Sequence, residues 1–398
     1  MKAIFSNLAP LLLSFILLVR IAFFFLNPSE TRSNLVGDAT ITGVVISEPR
    51  NTSRSQVFTL RGVEIVKARF PEIYYGDRVE IKGKIEVTEN KAKVLFPQVK
   101  VSENPNGQLP FKSVYDFKRT LLELYQKLLP EPEAGLMTGI LLGAKSSLDA
   151  SLKQDIQNAG LTHVVVASGT NLTFVSGLVF AVALILAGRR WANLWAIPMI
   201  WIYGLMSGFE PPVVRAAIMV TFTYIARFLG RPSGTWRGLV IAVYLMLLYD
   251  PEIMTDLGFQ LSVAAMSGII ISGGGNLKQI VFAQVFTLPL IVGTFGRYGL
   301  LSLISNLLVL WTIPPIMTVG TLAGVVGLVS PGLGRFLIIP AQFLLSYFVE
   351  VVTFFGGFSQ LVLTLPQLGP TAILGIYFIM IAGYWYLYDK ARTNKSLG

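Results

Sequence analysis

The sequence predicts a polytopic α-helical membrane protein carrying a small N-terminal β-barrel, and three observations point there. The 398 residues are 53% hydrophobic and 14% charged, with a mean hydropathy of +0.63, well above an ordinary soluble chain. After residue 158, apolar runs of helical length follow one another nearly to the end of the chain. Before them, residues 35–105 alternate polar and apolar positions in short segments parted by turn residues, the pattern of strands. Cysteine is absent, so disulfides, thiolate metal sites and cysteine nucleophiles are excluded.

Taken in order, residues 1–27 read as a transmembrane anchor. Residues 8–26 are a continuous apolar run, long for a secretory signal and without a small-residue cleavage site before Asn27. Arg20 fits near the end of that run, where a long side chain reaches the interface. Residues 35–105 form the strand-rich domain, with strands expected over 40–47, 56–61, 63–68, 77–87 and 91–101. Between Leu35 and Pro105, 11 Lys and Arg face 9 Asp and Glu, too small an excess for charge alone to mark a nucleic-acid surface. Arg50, Arg54 and Arg61, with Tyr74 and Tyr75 able to stack on bases, are the candidate contacts there. In a small barrel such aromatics also serve as core.

Residues 108–150 make the passage to the bundle. Phe117, Leu121, Leu124, Tyr125 and Leu128 recur at helical spacing, with Lys112, Lys118, Arg119 and Lys127 elsewhere. An interfacial amphipathic helix fits best, lying along the membrane surface between barrel and bundle, with packing on protein as the alternative; Pro130 and Pro132 stop it. Residues 134–144 are too few to span and contain Gly135, Gly139 and Gly143, which suits a re-entrant or buried helix.

Residues 158–388 form the polytopic domain. Its apolar runs cover 161–187, 192–207, 213–229, 238–249, 258–272, 280–295, 300–328, 336–355 and 371–388. With the anchor, about ten crossings follow. Arg189, Arg190, Arg227, Arg231, Arg237, Lys278, Lys390, Arg392 and Lys395 then fall on one side, which the excess of cations marks as cytoplasmic. Both termini and the tail 389–398 lie on that side; the barrel and the acidic 250–256 segment lie outside.

Polar groups embedded in these runs need a reason, because in hydrocarbon they must pair within the bundle or line a wet cavity. Residues 160–176 read GLTHVVVASGTNLTFVS, and His163, Ser168, Asn171 and Thr173 are candidates to line a substrate path. Arg215, Gln260, Ser262 and Asn306 join them from other runs. Gln260, Ser262 and Asn306 equally suit helix-to-helix hydrogen bonds. Arg215 is hard to explain as packing; it contacts phosphate or pairs with a carboxylate such as Asp256.

Catalysis finds little support in the residues. His163 is the only histidine, so no HExxH or histidine zinc site exists. Residues 139–146 read GILLGAKS and lack the adjacent Gly-Lys-Ser/Thr of a phosphate loop. Ser168 and His163 are five residues apart, on different faces of a regular helix. The expectation is a protein that is no enzyme, with no cofactor and no metal.

Four blocks in order carry a resemblance: 139–148 (GILLGAKSSL), 160–176, 212–219 (PVVRAAIM) and 250–262 (DPEIMTDLGFQLS). Together they resemble the core of the ComEC competence family, membrane proteins that carry incoming DNA across the cytoplasmic membrane. The likeness covers roughly residues 35–330. Asn171 departs from it, since many members carry a second histidine there. The resemblance implies an OB-like fold for residues 35–105, a bacterial inner-membrane location and a channel that passes single-stranded DNA inward during natural transformation. It also implies partners: a cytosolic helicase or other motor, single-strand-binding proteins, and a separate DNA receptor and nuclease. A transporter of small or lipid-linked solutes, or a scaffold binding partners through its barrel, are the alternatives.

Overall fold

A computed structural model describes residues 17, 19–20, 37–45, 49–51, 55–60, 63–74, 77–88, 91–102, 112–144, 148–161, 168–299, 301–358, 362–364, 368–369, 371–380 and 382–383. The N-terminal part is a curled sheet of β1 (Gly37–Val44), β2 (Arg50–Asn51), β3 (Ser55–Leu60), β4 (Val63–Ala68), β5 (Arg78–Thr88), β6 (Lys91–Leu95) and β7 (Gln98–Ser102). The path of pairing is β1-β5-β6-β4-β3-β2, with β7 also on β5.

The expected last strand is two. Phe96 takes a left-handed φ of 49° and Pro97 has no N–H to donate, so the ladder breaks there. β6 pairs the C-terminal half of β5 (Ile85↔Val94) and β7 its N-terminal half (Lys82↔Gln98). The other edge of β6 lies parallel to β4. Gly83 faces the break, where a Cβ would sit 2.7 Å from Val94 Cγ1. Alternation then builds the interior from Val45, Phe58, Leu60, Val63, Ile65, Ile73, Val79, Ile81, Ile85 and Val94.

Two polar residues are buried beside this core. Gln56 and Lys67 are direct cross-strand partners, 1% and 3% exposed, and both fasten the segment after β4. Gln56 Nε2 donates to the Ile73 carbonyl at 2.8 Å while its Oε1 accepts from the Ile73 amide at 2.9 Å. Lys67 Nζ donates to the carbonyls of Ala68 at 2.5 Å and Pro71 at 2.6 Å. Burial pushes the Lys67 ammonium below its ordinary pKa, and nearby Glu72 opposes that shift. Gln56→Ala strands both backbone groups of Ile73, which costs about 3 kcal/mol. The expected result is faster proteolytic cutting within residues 69–77 of the full chain; an unchanged cleavage pattern would show that the fastening is dispensable.

The helices are α1 (Lys112–Leu128), α2 (Glu133–Leu142), α3 (Ala150–Asn158), α4 (Gly169–Met206), α5 (Pro211–Phe228), α6 (Thr235–Tyr249), α7 (Leu257–Ile271), α8 (Asn276–Phe295), α9 (Ser302–Leu310), α10 (Ile313–Val329), α11 (Pro331–Leu337), α12 (Ile339–Gly356) and α13 (Thr371–Met380). Two short strands, β8 (Arg297–Gly299) after α8 and β9 (Val362–Thr364) after α12, pair antiparallel. Among the described residues α4, α8 and α12 are long and apolar enough to cross a membrane; α9 with α10, bent by 42°, make a fourth if taken as one span. Of the expected runs, α6 and α7 are shorter than a bilayer is thick, and α4 is two arms joined at Gly188. Of the anchor, only Leu17, Val19 and Arg20 are described; Leu17 packs beside Met246 and Phe259.

Ile185, Leu186, Trp195, Phe343, Phe354 and Phe378 lie outside, each more than half exposed. So much apolar surface belongs in lipid. Most of the apolar face of α1, by contrast, is covered by protein: Leu121, Leu124, Tyr125 and Leu128 are buried with α2, α10 and α12, Tyr125 donates to the Gly320 carbonyl at 2.8 Å, and Phe117 stays exposed. The expected buried helix is α2, whose residues from Ala134 to Leu142 are all inside.

The chain reverses within α4. Gly188, with φ 73° and ψ 164°, breaks the helix, and the arms 169–187 and 189–206 fold back on each other. Contacts with α5 show this: Ser176 accepts from Tyr224 at 3.0 Å, Trp191 packs on Phe228, and Trp201 donates to Thr221 at 3.2 Å. The first arm therefore runs parallel to α5 and the second antiparallel. Arg190 and Arg227 lie over Phe228 and Tyr224 at the Gly188 end; Gly169 and Arg215 lie at the opposite end.

Candidate functional site

Three helix N-termini meet at that opposite end, around Pro212. The Pro212 carbonyl oxygen is 3.3 Å from where a Cβ on Gly169 would lie, and Pro212 Cδ is 3.6 Å from the equivalent point on Gly258. The starts of α4, α5 and α7 are thus neighbours. Ser168 caps α4 by accepting from the Asn171 amide at 3.2 Å, and Asp256 caps α7 by accepting from the Phe259 amide at 2.8 Å. Prolines open α5, where a missing N–H costs nothing.

Arg215 sits one turn into α5 and is 7% exposed. Its Nε donates to Ser262 Oγ of α7 at 2.5 Å, and its Nη1 lies 3.1 Å from Met219 Sδ. Nη2 is only 2.9 Å from the position a Gly169 Cβ would take, so a side chain there would make the end of the guanidinium shift. Among the described residues no carboxylate lies within ion-pair distance of Arg215. Asp256, the expected partner, spends its carboxylate on the helix cap instead. A guanidinium without a counter-charge inside an apolar bundle is expensive.

The other expected path residues mostly close on nearby groups. Asn171 is buried; its Nδ2 donates to the Ile140 carbonyl of α2 at 3.0 Å and its Oδ1 accepts from Ser168 Oγ at 3.0 Å. Thr173 donates to the Gly169 carbonyl of its own helix, and Gln260 to the Met254 carbonyl at 2.8 Å. Asn306 is apart, on α9, buried, with Oδ1 lacking a partner among the described residues. Beside it, Ser302 accepts from Gln284 at 2.6 Å and Ser305 donates to the Ala159 carbonyl at 2.7 Å. His163 lies outside the described residues.

On the sheet, Arg54, Arg61 and Tyr75 also lie outside the described residues, and Arg50 is described only as the backbone of β2. Tyr74 is 43% exposed. Its OH donates to Glu72 at 3.0 Å, and Arg119 of α1 lies 5.2 Å from its ring centroid. Burial chiefly, then the bond to Glu72, raises the Tyr74 pKa. This tyrosine joins the sheet to the helices. Sequence reasoning missed Gly169, whose role depends on Arg215 lying opposite it. It also missed the fastening pair Gln56 and Lys67; a lone lysine at an inward position of an alternating strand is the signal that marks it.

Residues 140–390 match the family described as Competence protein. Curated relatives include ComE operon protein 3 of Bacillus subtilis (strain 168), 23% identical over 257 residues, covering 60% of this chain and 32% of that protein. Uncharacterized protein YcaI of Escherichia coli (strain K12) is 23% identical over 288 residues, covering 68% and 33%. Competence protein ComA of Neisseria gonorrhoeae is 29% identical over 214 residues, covering 47% and 30%. The chain spans about a third of the length of these relatives. No solved structure matches it. With well over half of its residues inside the match, the chain belongs to the Competence protein family.

Proposed function

We propose that this protein passes single-stranded DNA across the bacterial cytoplasmic membrane during DNA uptake. Membership of the family and the competence names of two relatives support the process. The observation that carries the substrate is Arg215, a buried cation with no carboxylate among the described residues. A polyphosphate passing through a low-dielectric interior meets its need for a counter-charge. Asn171, Thr173 and Gln260 support the reading less, since their bonds close locally.

In this reading the helices form a multi-pass bundle with the Arg190 and Arg227 end cytoplasmic, and the sheet outside. The curled strand path with its parallel β4–β6 step supports an OB-like barrel. The protein acts as a conduit without chemistry of its own, drawing on a cytosolic helicase or other motor, single-strand-binding proteins, and a separate receptor and nuclease. Deleting the gene is expected to abolish arrival of labelled DNA in the cytoplasm, and reintroducing the gene to restore it. Normal internalisation by the deletion strain ends the proposal.

A further inference from the structure

The three converging N-termini are not equivalent. That of α7 is closed by the Asp256 carboxylate, and α5 begins with two prolines that have no amide hydrogen. At α4 the Ser168 hydroxyl takes the Asn171 amide, while the amides of Gly169 and Thr170 have no acceptor among the described residues. Arg215, nine-tenths buried, brings Nη2 beside this same turn, and Nη2 makes no hydrogen bond among the described residues. Helix amides and a guanidinium that lack an acceptor or a carboxylate among the described residues, together with the positive end of a helix dipole, favour one kind of ligand.

We infer that Gly169, Thr170 and Arg215 form a binding site for a single phosphate group at the end of the bundle opposite the Arg190 and Arg227 cations. The proposed function enters only in naming a nucleic-acid strand as the source of that phosphate; a lipid headgroup offers the same chemistry. The Gly169 amide, the Thr170 amide and Arg215 Nη2 each donate to a phosphate oxygen. Ser262 and Met219 hold the guanidinium so that this edge stays free. Glu210 and Asp256 are the acids at the starts of α5 and α7, the two other helices that converge there. Gly169 fixes the approach, since a methyl group there displaces Nη2.

The test uses the full chain purified in a phosphate-free sugar detergent, with inorganic phosphate titrated against chloride at matched ionic strength. Phosphate is expected to raise the thermal unfolding midpoint of the parent chain, and to leave Arg215→Gln and Gly169→Ala flat. A parent chain that does not respond, or an Arg215→Gln variant that responds equally, overturns the site. Gly169→Ala keeps the charge and the cap, so its loss of response separates binding from a folding defect. An oligothymidylate that binds the parent chain is expected to lose about 0.7 of its log–log salt slope in Arg215→Gln, as for one phosphate contact fewer on a single strand. If phosphate stabilises while the oligonucleotide does nothing and an anionic phospholipid does, the site stands and the DNA reading fails.

Discussion

Gly268→Val is expected to lower the thermal unfolding midpoint of the chain sharply. Gly268 lies in α7 against the backbone of α8: a Cβ there would stand 2.5 Å from the Phe282 carbonyl oxygen and 2.8 Å from its carbon. A backbone atom cannot rotate aside as a side-chain end does, so the helices must part by about 1 Å. A gap of that size forfeits roughly a quarter to a half of each dispersion contact along the pair, and overpacking of this kind costs about 3 kcal/mol or more. Such a loss is a large fraction of the stability of a typical domain. Gly177→Ala is the control, because nothing lies within 4 Å of a Cβ there; it is expected to change stability by less than about 1 kcal/mol. Thermal unfolding of both variants in detergent checks the pair. Equal midpoints would show that α7 and α8 are not packed through Gly268.

Arg215→Gln is expected to reduce DNA internalisation by roughly ten- to a hundredfold, the loss of one charged hydrogen bond worth about 1.5–3 kcal/mol. The amount of protein in the membrane is expected to hold. Among the described residues Arg215 has no carboxylate within ion-pair distance to be stranded by the change, and deleting an unpaired buried charge relieves desolvation rather than adding to it. Arg215→Lys is expected to fall between, keeping a point charge while losing the planar fork that serves Ser262 and a phosphate together. Uptake assays with quantified membrane protein separate these outcomes. Parent-like uptake by Arg215→Gln would remove this arginine from the path, whatever the fate of the family assignment.

The two variants act on different parts of the molecule. Gly268 belongs to the close packing of α7 on α8, and Arg215 lies where the starts of α4, α5 and α7 converge. Asn171 belongs to the packing as well as to the candidates for the path. In the sequence it stands among residues expected to line a path, yet the fold turns it toward the Ile140 carbonyl, where it ties α4 to α2. Asn306 shows the reverse. It suits a helix-to-helix bond in the sequence, and the fold leaves its Oδ1 buried without a partner among the described residues.

Composition and periodicity alone determined the division into a strand-rich part and an apolar helical part, and the helix limits near Gly188 and Pro130. Local forces set these features: alternation, helical spacing, and the punctuation of Gly and Pro. Only the tertiary structure decided that Phe96 and Pro97 divide one expected strand, that α1 turns most of its apolar face to protein, and that Asp256 caps a helix rather than neutralising Arg215. Each of those depends on which groups far apart in the chain come within a few ångströms. A side chain's need for a partner is written in its chemistry; which partner it finds is settled by packing.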